Sequence, residues 1–86
     1  MRCLVVEDDP DIQADIRRAL EAAGFVIDVA GDGEAAWYGG DTGDYDAAVL
    51  DLGLPRLDGL SVLRRWRTAG RAFPVIVVSA RGDWTE

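Results

Sequence analysis

The stretch Cys3-Leu4-Val5-Val6-Glu7-Asp8-Asp9-Pro10 decides the fold. Apolar residues give way, with no spacer, to consecutive acids. An unbroken apolar run of this length reads as a strand buried on both faces, the pattern of a parallel sheet. With Arg2 in front, that strand covers Arg2–Val6. Asp9-Pro10 then marks a helix start. An N-cap Asp accepts from orphan backbone N–H groups, and Pro at the first helical position gives up no hydrogen bond. Ile12, Ile16, Ala19, Leu20 and Ala23 recur at helical spacing and make one apolar stripe, which Gly24 closes.

Outward from that stretch the same alternation repeats. Residues 25–29 read as a second short strand. Asp32-Gly33 opens a weaker helix to about Tyr38, where Gly39-Gly40 is expected to stop it. A polar loop, 41–44, leads to a third strand over 46–50 that ends at Asp51. The loop Leu52-Gly53-Leu54-Pro55-Arg56 precedes a third helix over 57–68, with Leu60, Leu63 and Trp66 expected on its inner face. Residues 74–78 read as the fourth strand, with Ser79-Ala80 at its end. The order β-α-β-α-β-α-β predicts an α/β fold: a doubly wound parallel sheet with right-handed crossovers and helices on both faces.

Composition narrows the function classes. A chain of 86 residues holds one small domain, and 49% hydrophobic with 29% charged residues is not a disordered tail. The net charge of −7 argues against nucleic-acid binding by this segment, because phosphate contact needs clustered cations. All nine basic residues are Arg; the sequence has no Lys and no His. Its single cysteine, Cys3, excludes an intramolecular disulfide and a structural zinc site, and reads as an inert buried thiol. The apolar run at 73–78 is too short to cross a bilayer, and Met1-Arg2-Cys3 is no signal peptide. The expected setting is cytoplasmic, with no membrane contact.

In open α/β sheets the functional crevice lies beyond the carboxyl ends of the strands. The chemistry is therefore expected at Glu7-Asp8-Asp9, Asp51 and Ser79, polar groups that directly follow apolar strands. Parallel neighbours lie about 4.8 Å apart. If the first and third strands are neighbours, Glu7, Asp8 and Asp51 crowd one pocket and repel unless a cation compensates. Hard oxygen ligands suit Mg²⁺, and an Asp left partly free beside it can attack a phosphoryl group. Solvated helix caps would account for any one of these acids, but poorly for all of them together.

These residues resemble the receiver domains of two-component response regulators. Leu4-Val5-Val6-Glu7-Asp8-Asp9 is similar to the family's acid pair at the end of its first strand. The run Val49-Leu50-Asp51-Leu52-Gly53-Leu54-Pro55-Arg56-Leu57-Asp58-Gly59 resembles its phosphoacceptor segment. Pro74-Val75-Ile76-Val77-Val78-Ser79-Ala80 resembles its fourth strand with the switch hydroxyl. The resemblance implies that Asp51 is the phosphoacceptor, that Asp8 binds Mg²⁺ directly, and that Glu7 does so through water. It gives the Gly53 carbonyl the third protein position on the metal, and Ser79 a hydrogen bond to a phosphoryl oxygen. Pro55 and Gly59 read as turn residues without chemistry, and Asp9 and Asp58 as helix caps or first-turn acids.

The resemblance also implies a flavodoxin-like receiver fold with strand order 2-1-3-4, and a sensor histidine kinase as partner. The family's fifth strand and last two helices, with the fifth strand's lysine, are expected to be missing. On that reading residues 1–86 are an incomplete receiver, about its first two-thirds. The loop and the segment after Ser79 look like those of regulators with a winged-helix DNA-binding output, which implies transcriptional switching in the parent protein. The domain would be a phosphoacceptor rather than an enzyme. A degenerate receiver used only for protein interaction or dimerisation is the alternative; a Mg²⁺-dependent phosphohydrolase fits less well, since Asp51-Leu52-Gly53 lacks a second acid. Loss of the fifth strand would bare the fourth strand's edge, so a homodimer through strand four and helix one is expected. Trp66 reads as core, Trp37 and Tyr38 as partly exposed, and Arg64, Arg65 and Arg67 as a solvated basic face.

Overall fold

The computed structural model describes residues 1–78 and 84–85. Strands β1 (Arg2–Val6), β2 (Val26–Ala30), β3 (Ala47–Asp51) and β4 (Val75–Val78) lie parallel in the order β2-β1-β3-β4. This is the strand order that the resemblance implies. Val6 pairs with Ala30 on one side and Leu50 on the other, so the residues that follow, Glu7 and Asp51, emerge at the same sheet edge. Along β1 the side chains alternate. Leu4 and Val6 join the larger core cluster, while Cys3 and Val5 join the smaller. Both clusters are buried, as the unbroken apolar run requires.

The fourth strand is not wholly bare. A two-residue strand, β5 (Trp84–Thr85), pairs antiparallel with it, Val77 beside Thr85 and Val78 beside Trp84. The expectation of an open edge along all of β4 is corrected to its first half, Val75 and Ile76. An edge strand's unpaired N–H and C=O groups accept any extended segment within reach, and residues of the same chain supply one.

Among the described residues, three helices cover the sheet unevenly. α2 (Gly33–Thr42) and α3 (Gly59–Thr68) pack on one face, where Ala36, Val62 and Trp66 are fully buried against Leu4 and Leu50. α1 (Pro10–Ala22) lies on the other face, touching it through half-buried Ile16 and Leu20, and has no buried residue of its own. Each helix starts on an aspartate cap: Asp9 accepts from the Asp11 and Ile12 N–H groups, Asp32 from Ala35, and Asp58 from Ser61. Gly24, at φ 98°, turns the chain out of α1.

Two expectations about the helices are corrected. α2 does not stop at Gly39-Gly40 but runs through both to Thr42. A Cβ on Gly40 would lie 2.2 Å from the Trp66 Nε1, so this glycine marks where α2 presses on the indole of α3. The indole N–H donates to the Trp37 carbonyl at 3.2 Å, and the ring packs on Phe73 at 5.1 Å between centroids. The inner face of α3 is formed by Gly59, Val62 and Trp66, with Leu63 half-buried, whereas Leu60 is 46% exposed. At about 100° per residue Leu60 falls well off the face that Gly59, Val62 and Trp66 define, and Leu57 packs on the core from the preceding loop. Cys3 is buried as expected, and burial pushes its thiol pKa up, away from reactivity.

Candidate functional site

Beyond the carboxyl ends of β1 and β3, Glu7, Asp8 and Asp51 each bring a carboxylate oxygen to within 4.8 Å of the others. Glu7 is 7% exposed, the one buried charged residue among those described. Its N–H extends the sheet by donating to the Ala30 carbonyl at 3.1 Å. One carboxylate oxygen accepts from the Asp9 N–H at 3.1 Å, and its carbonyl accepts from the Gln13 side-chain amide at 3.0 Å. Asp8, the next residue, is exposed. Asp51 is half-buried; its Oδ1 accepts from the Gly53 N–H at 3.1 Å, and its Oδ2 has no hydrogen-bond donor among the described residues.

The backbone around Asp51 is held from two sides. The Leu52 N–H donates to the Val78 carbonyl at 3.1 Å, and the Gly59 N–H donates to the Leu52 carbonyl at 3.1 Å. A Cβ on Gly59 would lie 2.3 Å from the Asp51 carbonyl oxygen, so the first turn of α3 lies flush against the end of β3. The loop between them is clamped onto the start of α2. The Gly33 N–H donates to the Pro55 carbonyl at 3.2 Å, and Arg56 pairs with Asp32 at 3.6 Å. Within that loop the Leu57 N–H donates to the Pro55 carbonyl at 2.8 Å across Arg56, whose φ of 70° is strained for a residue with a side chain.

Electrostatics follow from this crowding. Burial, above all, holds the Glu7 carboxyl above the usual carboxylate range, and the charges of Asp51 and Asp8 push the same way; the Asp9 N–H opposes them. None of the three acids has an arginine within ion-pairing distance among the described residues. Hard carboxylate oxygens that crowd and repel one another fit a hard divalent cation such as Mg²⁺. The Gly53 carbonyl, on an exposed loop residue beside Asp51, accepts no hydrogen bond among the described residues and remains available as a further oxygen ligand.

The structure thus brings together Glu7, Asp8, Asp51 and Gly53. Asp9 and Asp58 are the caps of α1 and α3, as the sequence indicated. Ser79 lies outside the described residues. Sequence reasoning missed Gln13 and Gly33. Gln13 stands four residues after the N-cap Asp9, one helical turn along, which is a signal that could have aimed it back at the acidic loop. Nothing local in the sequence marks Gly33 as the seat of a loop more than twenty residues away.

Comparison with known proteins gives a consistent result. The profile of the response regulator receiver domain family matches residues 3–86. The transcriptional regulatory protein TcrA of Mycobacterium tuberculosis is 44% identical over the whole of this chain, which spans 34% of TcrA. The receiver domain of the Francisella response regulator 1452 superposes with a TM-score of 0.89 at 36% identity, over 95% of this chain and 68% of that one. The response regulator TrrA of Thermotoga maritima, solved with Mg²⁺ and BeF, superposes at 0.87 with 34% identity, over 92% of this chain and 69% of TrrA. TrrA is also known in complex with the histidine kinase ThkA. No helix among the described residues is long and apolar enough to cross a membrane.

Proposed function

This chain belongs to the response regulator receiver domain family, and on that premise we propose that Asp51 accepts a phosphoryl group from a histidine kinase in the cytoplasm. The single observation that carries this reading is the convergence of Glu7, Asp8 and Asp51 within 4.8 Å at one sheet edge. Asp8, Asp51 and the Gly53 carbonyl would hold Mg²⁺ directly, and Glu7 would hold one of its waters. Bound there, the cation supplies charge neutralisation for the phosphoryl oxygens.

The chain's own residues do the rest. The Gly53 N–H fixes one oxygen of Asp51 and leaves Oδ2 to attack. Oδ2 forms a bond to phosphorus as the P–N bond of the kinase's phosphohistidine breaks, and the departing imidazole nitrogen takes up a proton from solvent. Gly59 keeps the Asp51 backbone from retreating, and the sheet keeps the carboxylate at the crevice mouth. Ser79 is proposed to donate its hydroxyl to a phosphoryl oxygen. The domain acts as a phosphoacceptor on itself, and the switched output is proposed to be transcription, as the name of TcrA suggests.

Incubation with Mg²⁺ and acetyl phosphate should add one phosphoryl mass to the chain, and Asp51→Asn should abolish it. Labelling that survives Asp51→Asn would remove Asp51 from its role. A homodimer is proposed as well, through the open half of β4 and α1. Ile76 is 37% exposed at that edge and Ile12 is 48% exposed on α1, apolar surface that a second copy would bury. Light scattering at micromolar concentration should give twice 9.3 kDa; a single species of 9.3 kDa would refute the dimer.

A further inference from the structure

The carboxylate crevice uses none of the arginines at the far end of α3. Arg64, Arg65, Arg67 and Arg71 fall within eight residues of a chain whose net charge is −7. Two of the four serve the fold. Arg67 donates to the Arg71 carbonyl at 2.6 Å and the Phe73 carbonyl at 2.9 Å, and Arg71 holds Asp41. Arg64 and Arg65 do neither: both are exposed, and among the described residues neither has a carboxylate within ion-pairing distance. In the same set Arg2, Arg17, Arg18, Arg56 and Arg71 are all ion-paired, as expected where acids outnumber bases.

These two arginines border an open groove of about 450 Å³ between α2 and α3, lined by Trp37, Asp41, Arg64, Arg65, Thr68 and Ala69. The Arg65 guanidinium lies over the Trp37 ring, 4.7 Å from its centroid, so indole and cation present one joint surface. Trp37 is 39% exposed and the adjoining Tyr38 is 70% exposed. The groove's one acid, Asp41, is countered by Arg71. Exposed Trp, Tyr and Arg together are the composition of protein-interaction hot spots, where a few aromatic and guanidinium anchors carry most of the binding. The groove is open on one side, and small-molecule sites instead enclose most of their ligand.

We propose that the α2–α3 face is a docking surface for an acidic segment of a partner protein, whose carboxylates pair with Arg64 and Arg65 and whose apolar anchor lies on Trp37. The partner's negative charge is the chemistry this patch lacks and the rest of the chain repels. This surface does not depend on Asp51 or on phosphorylation, so its test stands apart from that of the receiver site.

The probe is a fluorescein-labelled synthetic peptide in which Glu residues flank a Leu-Phe pair, followed by anisotropy with the complete chain. Binding should be saturable and should weaken about tenfold as ionic strength rises from about 0.05 to about 0.3 M. The double variant Arg64→Ala/Arg65→Ala should weaken it at least about fivefold, and Trp37→Ala similarly, as expected for anchor residues. Arg17→Ala/Arg18→Ala removes the same charge from α1 and should leave binding unchanged. Absence of saturable binding would overturn the proposal, as would equal losses from the two arginine pairs. Self-association that Arg64→Ala/Arg65→Ala abolishes would overturn it too, by showing that a second copy is the occupant.

Discussion

Glu7 concentrates the conflict in this molecule. It follows four buried residues of β1 and is itself buried, yet it faces two other carboxylates with no ion-paired arginine among the described residues. Without a bound cation it therefore opposes folding, and Glu7→Gln should relieve the repulsion while keeping the hydrogen bond from the Asp9 N–H. The expected outcome is a melting temperature about 3–5 °C higher for the variant in the absence of Mg²⁺, with that advantage lost or reversed as Mg²⁺ is added. Thermal melts by circular dichroism at several Mg²⁺ concentrations check both halves. Equal Mg²⁺-induced stabilisation in wild type and variant would deny Glu7 any part in metal binding. At this scale the sequence was most legible: Glu7, Asp8 and Asp51 announce themselves because acids directly end apolar runs, and parallel pairing must then bring the run ends together. Gln13 was not legible, since a lone amide on a helix carries no pattern until the loop it meets is in place.

Among the elements, α2 is the instructive one. Local propensity reads Gly39-Gly40 as a stop, and in an isolated helix each glycine would weaken it relative to alanine by about 0.5–1 kcal/mol. Packing against α3 overrides propensity, and it does so at only one of the two positions. A Cβ on Gly39 would meet Leu4 at an ordinary 3.8 Å, whereas on Gly40 it would collide with the Trp66 ring. Adjacent substitutions should then have opposite signs. Gly39→Ala is expected to stabilise by about 0.5–1 kcal/mol, and Gly40→Ala to destabilise by roughly 1–3 kcal/mol. Urea titrations followed by Trp fluorescence measure both; the same sign for both would refute the packing argument. The outward turn of Leu60 has a similar origin. Spacing of apolar residues gave the period of α3, but its phase follows from tertiary contact, with Gly59 against the end of β3 and Trp66 against Gly40 of α2. Strands, helix order and crossovers were all legible because burial on both faces leaves long apolar runs. The pairing of β5 was not, because two residues carry no periodicity.

For the molecule as a whole, the end of the sheet opposite the acidic crevice holds a polar fastening. Tyr45 donates to Asp28 at 2.8 Å, Arg2 pairs with the same carboxylate, and the Arg2 guanidinium lies over the Tyr45 ring at 5.1 Å. The Tyr45 hydrogen bond first, and then Arg2, hold the Asp28 carboxyl below its usual range. Its contribution is present above that range and is lost as pH falls through the lowered value, modestly so because the side chain is 43% exposed. Burial, then Asp28, pushes Tyr45 up to about 12, so its contribution is whole below the ordinary tyrosine range and fades as pH rises toward about 12. Tyr45→Phe should therefore begin acid unfolding at higher pH and flatten the alkaline loss, measured by circular dichroism across pH; unchanged limbs would show the fastening to be inert. The two layers of the molecule are less evenly matched than its two ends. α2 and α3 bury glycines, Val62 and Trp66 into one face, while α1 rests on the other with nothing fully enclosed. The acidic crevice lies at the junction of β1 and α1, so it joins the firmest strand to the loosest helix. Whatever neutralises those acids also lowers the free energy of keeping α1 on the sheet, because ligand binding and helix docking are linked through the same few residues. Occupancy of the crevice and the seating of α1 on the sheet are then coupled, and the charge state of the pocket weighs on how firmly the helix beside it is held.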